Sequence, residues 1–143
     1  ANVKILDGGL SKWKREDLLT DKTPTEPLEN ITNPHEYDYS KKKHFVATYT
    51  DIVNYSRIGE SPEDRSIDVV DSRLSSWFYG ASGPCAIPGG SVPNSFNLYY
   101  KDLLTSTGEF KSSDDLETRY IAVGLDTVND KVSIAMCDSG VSA

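Results

Sequence analysis

Val132-Ser133-Ile134-Ala135-Met136-Cys137-Asp138-Ser139-Gly140-Val141-Ser142-Ala143 is the stretch that decides how this chain is read. Its first five residues, dominated by Val, Ile, Ala and Met, predict a short, fully buried strand. A cysteine follows at once, and after it come small polar residues and a glycine. That order suits chemistry at the carboxyl end of a strand. The strand fixes Cys137, while Gly140 and the two serines let the backbone curl so that successive N–H groups turn toward the sulfur. Such a nest favours thiolate over thiol and activates the nucleophile. A lone cysteine at a strand end is more often an inert buried thiol. Here the turn chemistry and the rest of the chain favour a catalytic loop.

The run from Cys137 to Ala143 resembles the active-site loop of the rhodanese superfamily of sulfurtransferases. It is most similar to the C-x-S-G-V-[ST]-A form typical of 3-mercaptopyruvate sulfurtransferases. Thiosulfate-using members usually carry Lys where Ser139 stands. The resemblance implies that Cys137 takes up a sulfane sulfur as a persulfide and passes it to an acceptor. It also implies that Asp138, Ser139, Gly140, Val141 and Ser142 form the loop that holds the persulfide, with no cofactor. Gly or Arg is common where Asp138 stands, and a carboxylate there tends to raise the thiol pKa, against the nest.

Other landmarks follow in the same order. Ile67-Asp68-Val69-Val70-Asp71 predicts a second buried strand, and Asp71-Ser72-Arg73 matches the V-V-D-[SA]-R that ends the corresponding strand in this superfamily. Asp71 and Arg73 are expected to form an ion pair that anchors the structure beside the site, not to carry protons. At the other end, Leu6-Asp7-Gly8-Gly9 followed by Trp13 is similar to the L-D-G-G-x-x-x-W signature that closes a rhodanese-like domain. A strand at Val3, Ile5 and Leu6, a turn at Gly8-Gly9 and a helix over 10–19 are expected there. The resemblance thus implies three parts: residues 1–19 as the closing strand and helix of a preceding domain, 20–43 as a linker, and 44–143 as a rhodanese-like catalytic domain. In that picture the catalytic domain continues beyond Ala143 with a helix and a closing strand. Val132–Met136 is then expected to have neighbours on both sides, supplied by the remainder of the polypeptide or by a partner chain.

Between Arg73 and Ile87 the sequence departs from the pattern. Trp77 stands where the superfamily's mercaptopyruvate enzymes place the first of two carboxylate-binding arginines. The segment holding the second has shrunk to Ala81-Ser82-Gly83-Pro84-Cys85, and Ala86-Ile87-Pro88-Gly89 lacks the usual His. Each charge-assisted hydrogen bond to a carboxylate contributes about 1.5–3 kcal/mol, so the loss bears on affinity. Arg57, Arg65, Arg73 and Arg119 are the cations left to supply a replacement.

The remaining elements alternate between strand and helix. His44–Ala47 predicts a strand, and Thr48 with Asp51 has the capping-box spacing for a helix whose face carries Tyr49, Ile52, Val53 and Ser56. An irregular strand is expected over 91–98. Ser112 or Ser113 caps a helix with Leu116, Tyr120, Ile121 and Val123 on its apolar face, ended by Gly124. This alternation predicts an α/β domain with a mainly parallel sheet flanked by helices, and chemistry at the strand carboxyl ends.

Composition bounds the rest. The 143 residues suffice for one domain with a core, and 37% hydrophobic against 26% charged is a soluble globular balance. A net charge of −7 argues against nucleic acid or an anionic membrane as partner. No apolar run approaches spanning length. In so acidic a chain, Lys41-Lys42-Lys43 reads as a solvated edge. His35 and His44 lack partners at ligand spacing, so no metal site is expected. Two cysteines, Cys85 and Cys137, form no disulfide framework and fit a reducing compartment, cytoplasm or mitochondrial matrix.

Three readings follow, in this order. The first is a sulfurtransferase moving sulfur from a small donor, 3-mercaptopyruvate or thiosulfate, through Cys137 to a thiol or cyanide. The second is a catalytically weakened domain serving a larger assembly, mitochondrial in one version. The third is a protein-to-protein sulfur relay.

Overall fold

The computed structural model describes residues 4–23, 46–57, 67–83, 88–125, 127 and 131–143. Within them the order is α1 (Gly9–Arg15), α2 (Tyr49–Arg57), β1 (Ile67–Asp71), α3 (Ser75–Phe78), β2 (Phe96–Asn97), a short 3-10 turn (Tyr100–Leu103), α4 (Ser113–Ala122) and β3 (Val132–Met136). The three strands form one parallel sheet in the order β2-β1-β3. This is the α/β architecture expected from the alternating pattern.

β1 is central because its sequence suits burial on both faces. Val69 is fully buried, and Asp68, Asp71 and the following Ser72 are buried with it. β3 lies beside β1 in register, from Ile67 opposite Val132 to Asp71 opposite Met136. The two strands therefore end at the same level, and that level is where the chemistry-bearing residues leave the sheet.

Five expectations are corrected. β3 forms over the expected residues but is not fully buried: Val132 is 61% exposed, Ser133 and Ala135 are also exposed, and Ile134 and Met136 are half-buried. Among the described residues its only strand neighbour is β1, so its other edge is open, as in an incomplete α/β sheet. Ile5 and Leu6 form no strand and are exposed. The Asp7 carboxylate instead accepts from the Phe110 amide at 2.9 Å. α1 ends at Arg15, where Asp17 turns to positive φ and Trp13 Nε1 donates to the Leu19 carbonyl. The irregular strand over 91–98 contracts to Phe96–Asn97. Val46 and Ala47 likewise carry no strand.

Both helix starts follow their capping chemistry. The Thr48 amide and hydroxyl each donate to the Asp51 carboxylate at 2.7 Å, and the Asp51 amide donates back to Thr48 Oγ1 at 3.3 Å. Ser112 caps α4 by accepting from the Asp115 amide. Gly124, at φ 90°, closes α4 as the left-handed residue after its C-cap. On α2 the buried anchor is Tyr55, whose hydroxyl donates to the Asn94 carbonyl at 2.9 Å, while Tyr49 is 84% exposed. α1 is tied to the 105–110 turn by Lys12 and Arg15, which reach Glu109 at 2.6 and 3.1 Å. No helix among the described residues is long and apolar enough to cross a membrane. The expected linker beyond residue 23, the lysine run, His35, His44, Arg65 and Cys85 lie outside the described residues.

Candidate active site

The site is built where β1 and β3 end. β1 hands the chain to Asp71, Ser72 and Arg73; β3 hands it to Cys137. Asp71 is completely buried, and its carboxylate accepts from Arg73 Nε at 3.0 Å to each oxygen, from Nη2 at 2.6 Å and from the Arg73 amide at 3.0 Å. The expected ion pair is thus present, at a burial that makes it structural. Arg73 Nη2 also donates to the Gly90 carbonyl at 2.7 Å and so ties the 88–92 segment to the sheet end. The bond to Asp71 raises the Arg73 pKa against the opposing effect of burial, and the charges of Asp71, Asp138 and Cys137 add to it.

Asn97, at the end of β2, completes this frame. Its Nδ2 donates to the carbonyls of Asp71 and Arg73 at 3.0 and 2.9 Å, and its Oδ1 accepts from Ser75 at 2.7 Å. Gly89 lets the 88–92 segment pack against α3. A Cβ there would overlap the backbone oxygens of Ser82 and Trp77, while the Gly90 amide donates to the Trp77 carbonyl at 2.7 Å. Between these pieces lies an open cleft of about 370 Å³ lined by Arg73, Pro88–Val92 and Met136.

Cys137 sits half-buried at the mouth of its loop. The Gly140 amide donates to Sγ at 2.9 Å, and Gly140 takes the left-handed φ of 78° that curls the backbone back toward the sulfur. Burial works against the thiolate. The Ser142 hydroxyl and amide, with the amides of Gly140 and Ser139, outweigh it and bring the Cys137 pKa down to about 7. Asp138, Ser139, Gly140 and Val141 are exposed, and Ser142 is half-buried. The loop therefore combines a stabilised thiolate with open access, the two conditions for a reactive cysteine.

Sequence reasoning missed Ser72. Its amide and hydroxyl both donate to the Met136 carbonyl, at 2.9 and 3.1 Å, and its Oγ lies 3.5 Å from Ser142 Oγ. The available signal was a small hydroxyl residue one step beyond a buried strand. It also missed the Gly90 carbonyl as the second partner of Arg73. Of the replacement cations, Arg73 is engaged as described and Arg119 is exposed on α4.

Known sulfurtransferases resemble the chain along nearly its whole length. The chain is 31% identical over 143 residues to human 3-mercaptopyruvate sulfurtransferase, covering 99% of this chain and 44% of that one. It is 29% identical over 144 residues to the 3-mercaptopyruvate sulfurtransferase of Escherichia coli strain K12, covering 99% and 46%. A crystal structure of an Escherichia coli 3-mercaptopyruvate sulfotransferase, described as having the rhodanese fold, superposes with a TM-score of 0.73 at 27% identity, over 99% of this chain and 48% of the other. No family model matches. The chain carries a rhodanese-like domain, and it spans about half the length of the relatives it matches.

Proposed function

We propose that this chain provides the catalytic cysteine of a sulfurtransferase, with Cys137 as nucleophile and residues 138–142 as the persulfide loop. One observation carries the reading: the Gly140 amide lies 2.9 Å from Sγ in an exposed loop that brings the thiol to a pKa of about 7. With 3-mercaptopyruvate as donor, the Cys137 thiolate attacks the donor sulfur and forms an S–S bond. The C–S bond breaks, its electron pair leaves as the enolate of pyruvate, and a proton completes pyruvate. An acceptor thiolate then attacks the outer sulfur, and Cys137 departs as thiolate. The loop N–H groups and the Ser142 hydroxyl stabilise charge on sulfur in both resting states. Asp71 and Arg73 position the strand end and take no proton.

Incubation with 3-mercaptopyruvate is expected to add one sulfur, about 32 mass units, to the peptide containing Cys137, with release by cyanide. Absence of that adduct on folded protein, with Cys137 alkylating no faster than Cys85, overturns the reading.

A second reading, transfer from a protein-borne persulfide, is favoured by the cleft. Its one cationic lining residue, Arg73, is engaged by Asp71 and the Gly90 carbonyl. A donor needing no carboxylate anchor suits such a cleft. It is expected to load Cys137 at lower concentration than 3-mercaptopyruvate, and loading by micromolar 3-mercaptopyruvate excludes the preference.

A further inference from the structure

The loop that carries Cys137 begins and ends on one side chain of another strand. Ser72, 7% exposed, extends the β1–β3 ladder by one amide bond to the Met136 carbonyl and adds a hydroxyl bond to the same oxygen. A carbonyl oxygen has two lone pairs, and Ser72 supplies a donor for each. The chain then turns through Cys137–Val141 and returns Ser142 to 3.5 Å from the same hydroxyl. Entry and exit of the loop are thus both referred to Ser72 Oγ, which makes no bond to the sulfur itself.

We propose that Ser72 is a positioning residue for Cys137: its single hydroxyl proton, shared between the Met136 carbonyl and Ser142 Oγ, holds the two together and leaves the Ser142 proton for the sulfur. The inference rests on Cys137 being the reactive thiol. Without the Ser72 hydroxyl, Ser142 loses its fixed neighbour and samples rotamers directed at water, so its support of the thiolate is diluted, not abolished. The effect is transmitted through Ser142. The charged groups facing the loop, Arg73 and Asp138 with Asp71 behind Arg73, are unchanged by substitution at 72.

The test is the pH dependence of iodoacetamide alkylation at Cys137 in the full chain, read by peptide mass. Alkylation reports the thiolate whether or not sulfur is transferred, so failure here is separable from failure of the sulfur-transfer reading. Ser142→Ala is expected to raise the midpoint by about one pH unit, and Ser72→Ala by about half a unit, a roughly threefold loss of rate below the midpoint. Because Ser72 acts through Ser142, the double variant matches Ser142→Ala alone. Additive shifts in the double variant overturn the proposal. Thr and Val are nearly isosteric and provide a second comparison if the Ala variant does not fold: Ser72→Thr keeps the wild-type midpoint and Ser72→Val moves it upward. Equal midpoints for Thr and Val also overturn it.

Discussion

The carboxyl ends of β1 and β3 lie side by side, at the same level of one parallel sheet, and are used in opposite ways. At the end of β1 the carboxylate of Asp71 is wholly buried, with its oxygens occupied by Arg73. At the end of β3 the polar groups converge on a sulfur that solvent can reach. The first arrangement spends its hydrogen bonds on itself and is inert. The second directs them at an atom whose charge they stabilise. Burial and saturation make a frame; exposure and convergence make a reactive centre. The two need each other, because a nest holds its shape only if its strand end is fixed.

This contrast predicts that activity and stability separate between the two ends. Cys137→Ser is expected to abolish sulfur uptake while leaving the urea midpoint at pH 6 unchanged, since the thiol is protonated there and its charge contributes nothing. Residual persulfide chemistry, or a large loss of stability, breaks the comparison.

Asp71→Ala is the converse. It strands the half-buried Arg73 guanidinium without its carboxylate, and breaking such a pair costs about 3–5 kcal/mol. Urea denaturation is expected to show that loss, and a cost below about 1 kcal/mol would mean that the frame carries no weight.

The glycines sharpen the same point. Gly89→Ala meets backbone oxygens that cannot swing away, so roughly 1–3 kcal/mol is expected. Gly140→Ala meets nothing within 4 Å and carries only the strain of a left-handed φ, about 1–2 kcal/mol. It is expected to lower alkylation of Cys137 through the displaced amide more than it lowers stability. The reverse ranking, with Gly140 the costlier fold position, would contradict the division.

A further effect concerns pH. The Cys137 pKa is depressed in the folded chain, from an ordinary value near 9 to about 7. The folded state then binds fewer protons at Cys137 than the unfolded one between these values. Its stabilising contribution is therefore fully present above about pH 9 and is lost as pH falls toward 7. The difference between wild type and Cys137→Ser in chemical denaturation is expected to grow over that window and to be flat below it.

Much of this was legible in the sequence because it is local or periodic. The capping box at Thr48 and the serine cap of α4 are decided within four residues. The apolar run at Ile67 predicts β1, and Asp71 with Arg73 predicts its ion pair. Elements whose state depends on what surrounds them were less legible. Val132–Met136 has the composition of an interior strand, yet nothing in five residues states whether a second neighbour is present. Ile5 and Leu6 have strand propensity but no partner strand among the described residues. Tyr55 was overlooked because it lies at the edge of the face that carries Ile52, Val53 and Ser56, which are half-buried as expected while Tyr49 is exposed. Ser72 escaped notice because its significance lies in two residues far along the chain, Met136 and Ser142.

That separation has a consequence for how the site comes into being. Ser72 and Met136 are 64 positions apart, and the parallel pairing of β1 with β3 must close before they meet. Non-local parallel pairings are late and slow events in folding. The Gly140 amide can find Cys137 in a short peptide, but the clamp at Met136 and Ser142 cannot exist there. The proposed reactivity of Cys137 is therefore a clock on the assembly of the sheet: in a refolding time course, fast alkylation is expected with β1–β3 closure and not with formation of α2 or α4. During synthesis, the same coupling leaves the nascent thiol roughly threefold less reactive until the scaffold that holds Ser142 is in place.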